Sequence, residues 1–218
     1  MRLRTSARRG MTALAAVTMV TLGVGAQDAG APSQASKRPL TVKIAPIDPT
    51  TDEQKTILGS SSAGPNTLNA FKVCLNNPEL CRVWMPFTGG VGRTLQFRDR
   101  ELLILRSAWL CGNDYTWGIH SETARRGGFT DEEIRRIAEG PTAVGWSAWD
   151  RAVLDAADQL YADKRITDAT WTALAERFKE PQFMDAIFVV GQYSMISMLV
   201  RSAGIQPESG RPGFPDAK

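Results

Sequence analysis

Three observations predict an all-α fold. Apolar residues recur three and four apart between residues that cap or break helices. No segment alternates with period two, so no strands are expected beyond short extensions. The stretch Phe97–His120 (FRDRELLILRSAWLCGNDYTWGIH) opens on charges and then runs through Leu102–Leu105 and Ala108–Cys111, interrupted only by Arg106 and Ser107. A helix-length run that is apolar nearly all round is expected to be a buried central helix.

The elements follow in chain order. Residues 1–26 read as a signal peptide. Arg2, Arg4, Arg8 and Arg9 form a basic start, Met11–Val24 is apolar but short for a membrane span, and Val24-Gly25-Ala26 supplies small residues for cleavage. The paired Arg8-Arg9 permits a twin-arginine route as well as the general one. The expected location is therefore periplasmic or secreted, with no stable membrane span after cleavage. Removing the four leader arginines from 26 basic residues leaves 22 against 23 acidic ones. The mature net charge is then −1, and nothing suggests a nucleic-acid partner.

Residues 27–50, rich in Pro, Ala, Ser and Lys, are read as a flexible N-terminal arm. A helical domain is expected over residues 51–208, with a short tail at 209–218. Thr51 or Asp52 starts a first helix. Asn66–Leu75 is amphipathic, with Leu68, Phe71 and Leu75 on one face. Asn77 caps a helix that carries Pro78 at its first position and Leu80, Val83 and Trp84, and that is expected to stop at Pro86. Thr88–Gly92 is then a glycine-rich loop without the lysine of a phosphate-binding loop.

Beyond the central stretch, Gly127-Gly128 ends the His120 helix, and Thr130 with Glu133 forms a capping box for the next. Ser147–Asp163 is expected to bury Val153, Leu154, Ala157, Leu160 and Tyr161. Thr167 caps a helix with Trp171, Leu174 and Phe178, and Pro181 opens the last helix, Gln182–Ala203. That helix is long and apolar, but Asp185, Gln192, Ser194, Ser197 and Arg201 recur too often for a lipid-facing span. It is expected to be buried or shared with a neighbouring subunit.

The chemistry concentrates on the central stretch. Gly112 breaks the apolar helix, Asn113 or Asp114 caps the next, and His120 is the only histidine of the chain. Asn113, Thr116, Trp117 and His120 share one helical face. Glu101, if it lies with Leu105 and Ala108, points inward, and a buried carboxylate beside a lone imidazole suits acid–base chemistry. A salt bridge to Arg98 or Arg106 is the competing reading for Glu101. Trp109, Trp117 and Tyr193 are read mainly as core, with Trp117 also on the substrate-facing side of its helix. Arg106 and Arg201 are isolated cations in apolar surroundings. Each either pairs with an acid such as Glu101 or Asp185 or receives an anionic substrate, and pairing is favoured for Arg106.

Three cysteines leave at least one unpaired if all bonds are internal. Cys74 and Cys81 flank the Asn76-Asn77-Pro78 break and are open to two readings, a local bridge or small apolar core residues. One histidine with scattered cysteines lacks the ligand spacing of a zinc site.

At Arg100-Glu101-Leu102, Tyr115-x-Trp117-x-x-His120 and Gly191-Gln192-Tyr193…Gly204-x-Gln206-Pro207-Glu208 the sequence resembles the carboxymuconolactone decarboxylase family, within the superfamily that contains alkylhydroperoxidase D. The resemblance spans about residues 65–208. It implies a small all-helical subunit that assembles as a homotrimer or homohexamer with sites near subunit contacts. It also implies that Glu101 and His120 take the family's relay positions. In the peroxidase branch a Cys-x-x-Cys stands at what are here Asn113 and Thr116. A disulfide cycle needs a low-pKa thiolate beside a resolving thiol, and neither residue is a cysteine. Many relatives carry an asparagine where this chain has Arg201.

The expected function is that of an exported, cofactor-free decarboxylase or related lyase acting on a small carboxylated lactone or similar acid. His120 and Glu101 are its catalytic pair, and Asn113, Thr116, Trp117, Arg106 and Arg201 are placed around the substrate. No metal or organic cofactor is expected. The alternatives are a peroxidase-type antioxidant, disfavoured by the missing thiol pair, and a non-catalytic binding protein.

Overall fold

The computed structural model describes residues 40–59 and 62–215; residues 1–39, on which the expected signal peptide and the first part of the arm fall, lie outside the described residues. Among the described residues there are nine helices and no strand. They are α1 (Asp52–Leu58), α2 (Asn69–Cys74), α3 (Pro78–Gly90), α4 (Phe97–Leu110), α5 (Asp114–Arg126), α6 (Asp131–Glu139), α7 (Ala148–Asp163), α8 (Asp168–Leu174) and α9 (Glu180–Ala203).

Local chemistry sets most boundaries. Thr51 and Thr130 each close a capping box, Asn77, Asn113, Ser147 and Thr167 accept from first-turn amides, and Pro78 sits at the start of α3. Each such cap stabilises its helix by roughly 1 kcal/mol.

Helix α4 is the central element, wrapped by α5, α6, α7 and α9. Leu102, Leu103, Ile104, Leu105 and Ala108 are all buried, together with Glu101 and Arg106 on the same helix. Their core also takes in Val153, Leu154, Ala157, Ala186 and Val189 from α7 and α9. A second, smaller core joins Ala70, Val73, Leu75, Cys81 and Trp84 to Ile196 and Val200 at the far end of α9. Cys74 and Cys81 are joined by a disulfide across the α2–α3 corner, which resolves that pair as a bridge.

Several expectations are corrected. Helix α3 does not stop at Pro86 but continues through it to Gly90, so most of the supposed glycine-rich loop is helical. Its inward residues are Cys81, Trp84 and Met85, while Leu80 and Val83 are exposed. Tyr161 on α7 is exposed, and Trp171 lies on the surface, stacked on Phe183 with ring centroids 3.8 Å apart. In α2 the deeply buried residues are Ala70, Val73 and Cys74 rather than Leu68 and Phe71.

Both ends of the described chain are tied down. The amides of Lys43 and Ile44 donate to the carbonyl of Ala203, Ile47 donates to Lys72, and Lys72 pairs with Asp48 at 2.7 Å. The chain turns there at Gly204, with φ +71°, where a β-carbon would fall 1.9 Å from the carbonyl oxygen of Thr41. No other residue type fits that crossing. After α9, Glu208 accepts from the Asn69 amide and from the Tyr115 hydroxyl, and Phe214 closes over Trp109 and Trp117 at 5.0 and 5.6 Å. The tail passes so close to α5 that a β-carbon on Gly118 would meet the Pro212 carbonyl at 2.4 Å.

Helix α9 is long and apolar enough to cross a membrane by length and composition alone. Its inner face packs on α4, α5 and α7, while Met184, Ile187, Phe188, Met195 and Met198 remain exposed on the other.

Candidate active site

The turn between α4 and α5 brings Glu101 and His120 together. The Cys111-Gly112 turn reverses the chain, the Asn113 amide donates to the Ala108 carbonyl at 2.8 Å, and the Asn113 side chain caps α5. Helix α5 then runs back alongside α4, so nineteen residues of sequence become a direct contact. Glu101 Oε2 lies 2.8 Å from His120 Nδ1. The other carboxylate oxygen is 3.4 Å from Arg100 Nε.

On its far side the imidazole meets a third residue. Tyr193, from α9, has its hydroxyl 3.0 Å from His120 Nε2, with the two rings edge to face at 5.0 Å. The tautomer follows from chemistry. A carboxylate accepts only, so Nδ1 carries the proton toward Glu101 and Nε2 accepts from the Tyr193 hydroxyl. Burial, and then the negative charge of Glu101, push the Tyr193 phenol above its ordinary value, so it holds its proton at neutral pH. Glu101 is 1 % exposed, the His120 side chain 17 % and Tyr193 half-buried, so the bonded series lies mostly out of water.

The remaining site candidates separate from this pair. Asn113 is fully buried, with its amide nitrogen donating to Thr116 Oγ1 at 2.8 Å and to Ser197 Oγ at 2.9 Å. Its carbonyl accepts the Thr116 amide. Thr116 is buried beside it. These groups have no free polar atom to offer a substrate; their polarity serves the cap. Trp117 is buried under Phe214 and packs on Trp109. Arg106 is 1 % exposed and pairs with neither Glu101 nor Asp185. It makes a two-point bond to Asp158, at 2.6 and 2.9 Å, and donates to the carbonyls of Ile137 and Ala138. Asp185 instead accepts from Thr94. Arg201 donates to the Gly112 carbonyl at 2.5 Å and lines a cavity that does not include Glu101, His120 or Tyr193. Of the seven candidates, Glu101 and His120 meet as one pair and Asn113 and Thr116 as another, and the two pairs are separate.

Tyr193 is the residue that sequence reasoning placed in the core. The one available signal was its position in the Gly191-Gln192-Tyr193 motif. Among the described residues no group of three or more His, Cys, Asp or Glu side chains is gathered as a metal centre.

Residues 78–159 match the carboxymuconolactone decarboxylase family. The fold agrees over a longer span. An uncharacterized peroxidase-related protein from Silicibacter sp. TM1040 superposes with a TM-score of 0.67 over 80 % of this chain and 95 % of its own, at 18 % identity. The family match thus lies on residues 78–159, and the wider helical fold is the one this structure shares. A second structure, the alkylhydroperoxidase AhpD core of an uncharacterized peroxidase-related protein from Ralstonia eutropha JMP134, gives a TM-score of 0.63 at 16 % identity, covering 78 % of this chain and 95 % of that one. The debrominase Bmp8 in complex with 2,3,4-tribromopyrrole gives 0.61 at 14 % identity, covering 79 % and 95 %. No curated protein sequence matches the chain significantly. At these identities the structural likenesses establish the fold, and on it Glu101 and His120 meet, with Tyr193 added from α9.

Proposed function

We propose that this protein is a cofactor-free acid–base enzyme of the decarboxylase or lyase type, acting on a small carboxylated lactone or related organic acid. The observation that carries the reading is the bonded series Glu101–His120–Tyr193, which runs from a buried carboxylate to a half-buried phenol. A carboxylate leaving as CO₂ pushes its electron pair into a conjugated carbonyl. The resulting enolate-like carbon must take a proton. A phenol held neutral by burial keeps its proton until so strong a base forms, then delivers it. Nε2 of the imidazole, made more basic by the bond from Nδ1 to Glu101, then takes a proton from water and returns it to the phenolate. Overall, one carboxylate and one proton give one C–H bond and CO₂.

The thiol-dependent reading has less support here. Asn113 and Thr116 stand at the two redox positions, and burial pushes the thiol of Cys111 above its ordinary value, away from the reactive thiolate. Action outside the cytoplasm is part of the proposal. The leader-like residues 1–26 and the Cys74–Cys81 disulfide both suit an oxidising compartment. So is self-association: Phe87 on α3 packs on Phe188 of α9, and Leu80, Val83, Met195 and Met198 extend the same exposed apolar face.

The test is turnover of 4-carboxymuconolactone and related lactone acids by purified mature protein, alongside His120→Gln. A loss of about 10²- to 10⁴-fold in kcat at unchanged melting temperature is the expected result. A His120→Gln protein with full specific activity ends the assignment, as does activity that disappears on alkylating Cys111.

A further inference from the structure

We infer that the cavity between the C-terminal end of α7 and the outer half of α9 is a binding site for an apolar monocarboxylate, separate from the His120 relay. The cavity holds about 610 Å³, a size ordinary for small-ligand sites. Its walls are Leu160, Ile187, Val190 and Met198, and its lining contains no Asp or Glu.

Two cations stand at this apolar space, Arg201 from α9 and Lys164 just beyond α7. Among the described residues no carboxylate pairs with either. Arg201 is half-buried, and its single hydrogen bond, from Nη1 to the Gly112 carbonyl, fixes the guanidinium without neutralising it. A guanidinium partly out of water and without an acid is an incomplete arrangement, and a carboxylate is the group that completes it by a two-point bond.

The polar groups deeper in the cavity do not compete for that role. Ser194 donates to the Val190 carbonyl at 2.8 Å and Ser197 to the Tyr193 carbonyl at 2.6 Å. Cys111 lies with its sulfur 3.9 Å from Ser194 Oγ, and burial keeps it a neutral thiol, a small apolar patch of wall. The cavity therefore has a positive end and an apolar body, which selects an anion with a hydrocarbon or aromatic tail. Tyr193 and Ser194 are consecutive on α9 and so about 100° apart around it, which puts the relay and this cavity on different faces of one helix.

The probe is decanoate, with 1-decanol as the uncharged control, titrated calorimetrically into the full mature protein. Decanoate is expected to bind, and decanol at least about tenfold more weakly, since the charged contact is lost. Arg201→Gln and, independently, Lys164→Gln are expected to weaken decanoate and leave decanol unchanged. The second variant keeps the test valid if the first disturbs the Gly112 turn. Decanoate is also expected to slow labelling of Cys111 by a maleimide about tenfold or more in the unsubstituted chain. Equal affinity for acid and alcohol, or decanoate binding that neither variant weakens and that leaves Cys111 fully reactive, overturns the inference and points instead to the apolar groove beside Trp84 and Met195.

Discussion

Glu101 and Arg106 stand five residues apart on α4, each 1 % exposed, and they end in opposite kinds of network. Arg106 closes on itself inside the core: two bonds to Asp158 and two to the carbonyls at the end of α6 use four of its five N–H donors. Glu101 continues instead through His120 to the half-buried Tyr193 of α9. Burial alone therefore does not separate a structural charge from a chemical one. What separates them is that Arg106 spends its bonds on core groups alone, whereas the series from Glu101 runs on to a side chain that is not fully buried.

The contrast breaks most sharply at Tyr193. Tyr193→Phe keeps the ring and removes the last proton of the open series. It is expected to lower kcat by about 10²-fold or more with KM and melting temperature little changed, in a steady-state assay with a lactone acid. If Tyr193→Phe turns over normally while His120→Gln does not, the relay ends at the imidazole and the phenol is only packing.

Next in size is the closed network. Asp158→Asn leaves the Arg106 cation buried without its counter-charge, and a loss of about 3 to 5 kcal/mol is expected in chemical denaturation. Specific activity per folded molecule should not move. A variant that loses turnover while remaining folded would couple the two networks that the structure keeps apart.

The smallest effect concerns a third charged group, the half-open one around Arg98, which bonds Asp150 at 2.9 Å and Glu133 at 2.7 Å. Burial pushes both carboxyls up, but the bonds from Arg98, with those from Ser147 to Asp150 and from Thr130 to Glu133, outweigh it, and both end below their ordinary values. A depressed folded-state value stabilises above the unfolded value, about pH 4, and that contribution is lost as pH falls through the lower folded one. Arg98→Met is expected to cost about 1 kcal/mol at neutral pH, a figure reduced for the guanidinium's partial exposure, and almost nothing near pH 2. Urea melts of both proteins across that range measure it. A difference that persists at low pH would mean that the loss is packing on Phe129, over which the Arg98 guanidinium lies at 4.8 Å.

The helices and the nearness of Glu101 to His120 were legible because both are local matters. A cap such as Thr130 or Asn77 acts on amides two and three residues away. A buried helix, a glycine turn and an antiparallel neighbour place residues nineteen apart side by side with little choice. Pro86 misled because its cost to a helix is a tendency, and α3 continues where Trp84, Met85 and Gln192 hold it: Gln192 Nε2 donates to Thr88 Oγ1 at 2.8 Å, across 104 residues of chain.

Distance along the chain marks the rest. Tyr193 lies 73 residues from His120, Asp158 52 from Arg106, and Phe214 shields Trp117 from nearly a hundred residues away. From the sequence by itself came the all-α class, the caps and the single imidazole with a carboxylate on the preceding helix, because helix periodicity and capping are decided within a few residues. Which cations are neutralised, which aromatic ring belongs to the relay and which is sealed in the core were decided only by tertiary packing. A side chain's partner across the core depends on how whole helices dock, and no spacing in the sequence encodes that.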